Sequence, residues 1–166
     1  NNVTKTGAAG WNAYAFSYNS VDSNGFVRTI ANETNTRRMI GLADVTTTSS
    51  YTDIDFAIWL NTTGRVFIYE SGVNRGQHST YVTGDTLYVA IVGNTVKYYK
   101  NSTEIYTSLV AVPSFPMYVD MSLSDVGSTL NDVVVGNGTN GVFDAVSTAV
   151  GPSPTYQWKL NGVNVG

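Results

Sequence analysis

The strongest constraint on this chain is a period of two. Apolar and polar residues alternate through 25-GFVRTIA-31, 53-DIDFAIWL-60, 65-RVFIYE-70, 86-TLYVAIV-92 and 116-PMYVDMSL-123, and no segment sustains helical spacing. Such alternation sends successive side chains to opposite faces of a strand. Further candidate strands are 11-WNAYAFS-17, 37-RRMIGLA-43, 95-TVKYYK-100, 104-EIYTSL-109 and 130-LNDVVVG-136. Turn chemistry divides them at Ser23-Asn24-Gly25, Thr63-Gly64, Thr83-Gly84-Asp85, Gly93-Asn94 and Asn101-Ser102. Short strands joined by tight turns predict an all-β fold, a jelly-roll β-sandwich of two antiparallel sheets.

Composition bears on function class. Charged residues make up 13% of the 166 residues and the net charge is -3, so solubility rests on Asn, Thr, Ser and Gly, as on many extracellular surfaces. Arg37-Arg38 is the only basic pair, which excludes the footprint of a nucleic-acid binder. No apolar run reaches the ~18 residues of a membrane span, so no membrane insertion is expected. Absence of cysteine removes disulfides, thiolate nucleophiles and Cys-ligated zinc. Five Asn-x-Thr/Ser sequons, beginning at Asn2, Asn32, Asn61, Asn101 and Asn137, read chiefly as turn residues in so Asn- and Thr-rich a chain. These features place the protein as secreted or on the cell surface.

The patterning ends near Gly136. Residues 1–136 form the expected sandwich, 137–154 are small and turn-rich and read as a linker, and Gly151-Pro152-Ser153-Pro154 breaks any element. Residues 155–166 read as two strand pieces about Asn161-Gly162, with Trp158 suited to a core. They resemble the first strands of an immunoglobulin-like module. Neighbouring modules of the same chain are therefore expected partners, and a start at Asn1 reads as a piece of a longer protein.

Parity also separates two faces. In 53–60, Ile54, Phe56, Ile58 and Leu60 point one way, leaving Asp53, Asp55 and Trp59 on the other. The same rule leaves Arg65 and Tyr69, Tyr88, and Tyr118 with Asp120 opposite the apolar rows of their strands. If these strands share a sheet, its outer face mixes rings with carboxylates and a guanidinium, which suits a polysaccharide: sugar C–H faces pack on rings and hydroxyls pair with acids. The ligand-binding candidates are Asp53, Asp55, Trp59, Arg65, Tyr69, Tyr88, Tyr118 and Asp120. A second reading stays open, because aromatics are favoured in strands without any ligand, and loops can fold over an outer face to make a second small core.

The runs 53-DIDFAIWL-60, 65-RVFIYESG-72, 84-GDTLYVAIVGNTVKYYKNSTEIYTS-108 and 117-MYVDMSL-123 resemble the concanavalin A-like lectin/glucanase superfamily, nearest to SPRY-like modules of secreted proteins from Bacteroidetes-type bacteria. The resemblance implies a jelly roll serving as a carbohydrate-binding or adhesion module, with a protein-interaction or structural module as the alternative. Related glucanases carry Glu-x-Asp-x-x-Glu on one strand. Here aspartates, Asp53 and Asp55, stand at the first two acids and Ile58 at the last, so the motif is broken and no catalytic residue is assigned. A glycoside hydrolase remains the lesser alternative, with Asp55 and Asp120 as the carboxyls that could meet. His78, the sole histidine, sits in a segment read as a loop, 71–81, without a nucleophile motif or zinc partners. No cofactor is expected. The stretch 22-DSNG-25 opens like a calcium loop but lacks the distal glutamate; a structural Ca²⁺ held by loop acids and carbonyls, as in some lectins of this fold, is left open.

Overall fold

A computed structural model describes residues 2–44, 48–112 and 114–138, together with the backbone of 159–160 and 163–164. Twelve strands run through the main body: β1 (Val3–Thr4), β2 (Ala13–Val21), β3 (Gly25–Ile30), β4 (Arg38–Ala43), β5 (Phe56–Leu60), β6 (Arg65–Glu70), β7 (Val73–Thr80), β8 (Thr86–Val92), β9 (Thr95–Lys100), β10 (Thr103–Ala111), β11 (Met117–Leu123) and β12 (Thr129–Asn137). They form two six-stranded sheets, β1-β12-β3-β8-β9-β10 and β2-β11-β4-β5-β6-β7, with every pairing antiparallel. This is the expected all-β sandwich.

The core follows the period. The second sheet supplies Ile40, Leu42, Phe56, Ile58, Ile68 and Val119, and the first meets them with Val27, Leu87, Val89, Ile91 and Tyr98, all buried. Two charged side chains join this interior, each with partners. Arg38 is fully buried, donates to the Thr36 and Glu33 carbonyls at 3.0 and 2.6 Å, and pairs with Glu33 at 3.2 Å. Glu70 accepts from Tyr98 Oη at 3.2 Å and Arg75 Nε at 2.8 Å. Pairing of this kind offsets the cost of taking a charge out of water.

Three expectations need correction. Residues 71–81 hold a strand, β7, rather than a loop. Its residues carry no apolar alternation because both faces are largely exposed at the sheet edge. Residues 53–55 are not the start of β5: Tyr51–Asp53 is a 3₁₀ turn capped by Ser50, whose Oγ accepts from Thr52 N. Ile54 therefore leaves the inward row and packs with Met39 and Ala57 on the opposite side of the sheet. Tyr88 belongs to β8 in the first sheet, while Trp59, Tyr69, Tyr118 and Asp120 lie in the second. Strand adjacency depends on non-sequential pairing, β3 with β8, which parity cannot show.

Lys159–Leu160 and Val163–Asn164 pair antiparallel. Of the expected linker, 137–154, Asn137 closes β12 and the residues after Gly138 lie outside the described ones, as does Trp158. Among the described residues no helix is long and apolar enough to cross a membrane.

Candidate functional site

The outer face of the second sheet carries two parallel rows that cross every strand. One row runs Tyr14, Ser122, Met39, Trp59, Phe67, Gln77, and the next runs Phe16, Asp120, Gly41, Ala57, Tyr69, Asn74. Register thus brings Trp59, Tyr69 and Asp120 onto one surface. Tyr118 is on that face, beside Ala43, and Arg65 stands exposed at the start of β6. Tyr88 does not join them: it pairs with Arg28 and Tyr99, and its ring lies 6.1 Å from Phe26 on the far side of the sandwich.

The centre of this face is roofed. Tyr51 in the 3₁₀ turn lies 5.2 Å from the Trp11 ring and 6.1 Å, edge-on, from Tyr69. Tyr69 meets Trp59 edge-on at 5.6 Å, and Trp59 meets Phe67 at 4.9 Å. Ile54 is fully buried beneath the turn. It fits because β4 presents Gly41, where a Cβ would stand 2.8 Å from Ile54 Cγ2 and 2.0 Å from the Phe56 carbonyl oxygen. Residues 48–55 thus form a cover, and the open platform expected from parity is partly a second small core.

The acids divide accordingly. Asp53 sits in the cover, where Thr48 Oγ1 donates to it at 2.5 Å. Asp55 is half-buried and ties the ends of the cover, accepting from Asp44 N at 3.0 Å and Ser71 Oγ at 3.2 Å; burial outweighs those bonds and lifts its carboxyl above the usual range. Asp120 is 1% exposed, and neither of its carboxylate oxygens has a hydrogen-bond partner. Burial first, then the like charges of Asp53 and Asp55, push it up to about 7; the Met121 N–H pulls the other way but stands outside hydrogen-bond geometry. Trp59 Nε1 is also buried without a partner. Among the described residues no group of three or more His, Asp or Glu is placed to hold a metal ion.

The margin of the face along β2 is open, and the sequence reading missed it. Tyr14, Phe16 and Tyr18 are 48%, 54% and 99% exposed. The Tyr14 and Phe16 rings are 6.3 Å apart and within 18° of parallel, stacked one after the other along the strand. Phe16 pairs with Asp120 and Ser20 with Tyr118, so Ser17 to Asn19 bulge opposite the single residue Val119, and Tyr18 stands out on that bulge. Beside it lies a cleft of about 320 Å³ lined by Tyr18, Asn19, Ser20, Asp22, Val135 and Asn137. The signal was present in 13-AYAFSY-18 as alternation of alanine with rings. Small Ala13 and Ala15 pack against the core while the large rings face water, the reverse of the usual order.

No protein-family model matches the chain, and no curated protein matches it. Solved structures do. The SPRY domain of human HERC1 superposes with a TM-score of 0.53 and 17% identity, covering 72% of this chain and 80% of that one. Stonustoxin gives 0.53 at 8% identity, covering 74% and 22%. A structure described as a native glycosidic hydrolase gives 0.51 at 12%, covering 78% and 70%. The chain spans 62% of the alginate lyase AlgAT5, another structure of similar shape. At these identities the likeness establishes the fold, which is concanavalin A-like.

Proposed function

We propose that the chain is a non-catalytic carbohydrate-binding module of a larger secreted or cell-surface protein, and that it takes a neutral polysaccharide along the outer face of the second sheet. The observation that carries this reading is the exposed row Tyr14, Phe16, Tyr18, with the first two rings nearly parallel on a rigid strand. Flat rings at two-residue intervals give a linear glycan successive C–H stacking surfaces, and Tyr and Phe lose little rotamer entropy when they bind.

The cleft at the end of the row supplies polar partners. Its lining holds the Asp22 carboxylate and the Asn19 and Asn137 amides, and no Lys or Arg, which favours a neutral sugar over an anionic one. Of the residues first singled out, Tyr118 and Asp120 adjoin the row and Arg65 edges the same face. Trp59 and Tyr69 stand behind the cover, and Tyr88 is withdrawn from the site. A shallow open surface buries little ligand, so single-module affinity is weak and neighbouring modules add avidity.

Affinity electrophoresis across glucan, xylan and mannan gels tests this. Retention by one neutral polysaccharide, lost in Tyr14→Ala and Phe16→Ala proteins with unchanged circular dichroism, is the expected result. Equal mobility of wild type and variants in every gel removes the site. Reducing-sugar release from the retained polysaccharide would instead favour a hydrolase.

A further inference from the structure

The surface beneath residues 48–55 is not finished as a core would be. Three buried polar atoms there have no hydrogen-bond partner: Trp59 Nε1 and both carboxylate oxygens of Asp120. Unmet groups of this kind cost stability and call for an explanation. They share one face, Trp59 on β5 and Asp120 on β11 with β4 between them, so their strands are roughly 10 Å apart.

The cover is anchored at Asp55, which accepts from Asp44 N, Ser71 Oγ and Ser71 N. Ahead of that anchor, Ile54 fills the notch at Gly41, Ser122 Oγ donates to the Ser49 carbonyl at 2.9 Å, and the Tyr51 ring rests between Trp11 and Tyr69. None of these contacts satisfies Asp120 or the indole N–H. A sugar would do so, since hydroxyls both donate to a carboxylate and accept from an indole while a C–H face meets the ring.

We propose that residues 48–55 are a movable cover over an inner sugar subsite, in which Asp120 accepts and Trp59 Nε1 donates hydrogen bonds to a neutral oligosaccharide of at least two units once Ile54 leaves the Gly41 notch. The proposal rests on the glycan-binding reading above and adds a regulated subsite to the open row on β2. While the covered form dominates, observed affinity equals the intrinsic affinity scaled by the open fraction. Loosening the cover therefore strengthens binding, whereas loss of an ordinary core contact would not.

Isothermal titration of this chain with glucan, xylan and mannan tetraoses provides the test. Ile54→Ala is expected to bind about tenfold more tightly than wild type. Ser122→Ala, which removes a single hydroxyl and keeps the proposal testable if the first variant folds poorly, moves the same way by a smaller factor. Adding Asp120→Asn to either variant cancels the gain. Unchanged affinity in Ser122→Ala and in any folded Ile54→Ala, with Tyr14→Ala still weakening binding, overturns the cover and leaves the open row standing. No heat with any tetraose for wild type and variants overturns both.

Discussion

Replacing Asp120 with asparagine should stabilise this protein, and only above mildly acidic pH. In the folded state the carboxyl is pushed from its ordinary value of 3.8 up to about 7, chiefly by burial and then by Asp53 and Asp55. The unfolded chain keeps the ordinary value. Between about pH 4 and pH 7 the folded protein therefore holds a proton that the unfolded chain has released, so stability falls as pH rises through that window and levels off above it. Three units at about 1.4 kcal/mol each amount to about 4 kcal/mol at pH 8. The amide is buried without a partner just as the protonated carboxyl is, so that penalty cancels and the net gain is about 4 kcal/mol at pH 8, shrinking toward zero as the pH approaches 4. Thermal unfolding by circular dichroism from pH 4.5 to 8.5 reads this directly, with Tm expected to rise by roughly 3–5 °C per kcal/mol. The other carboxylates are common to both proteins and cancel in the difference. A Tm difference that stays constant across the range would refute the argument, because it would mean that Asp120 has the same proton affinity folded and unfolded.

Two other outcomes follow from the geometry. Gly41→Ala puts a methyl 2.0 Å from the Phe56 carbonyl oxygen and 2.8 Å from Ile54 Cγ2; it should destabilise by about 3 kcal/mol in urea unfolding, the upper end for overpacking, and a loss under 1 kcal/mol would contradict the notch. Tyr88→Ala removes a half-buried ring from the opposite face. It should leave polysaccharide retention in affinity gels unchanged, and loss of retention would move the site to the first sheet.

Most of the sandwich was legible because burial on one side of a strand leaves a period of two in the residues. Ile58, Val89 and Val119 were assigned inward and lie in the core. Legibility failed where periodicity does not encode the deciding interaction. Sheet membership of Tyr88 depends on β8 crossing to pair with β3, a contact distant in sequence. Ile54 has the parity of Phe56, yet the Ser50-capped turn redirects it onto the outer face. On β2 both rows are apolar, so hydropathy could not tell that Ala13 and Ala15 go in and Tyr14 and Phe16 stay out.

The bulge in β2 has a consequence for how the molecule behaves in a crowd. A border strand of nine residues bearing bare rings would, if straight, offer a run of open amides and carbonyls to the same strand of another copy, which is how sheets grow into aggregates. The crowding of Ser17, Tyr18 and Asn19 opposite Val119 interrupts that run and turns Ser17 Oγ back to bond Val119 N at 2.9 Å. The protein can thus display sticky aromatic rings at its border while denying a second copy the regular ladder that would glue the two together.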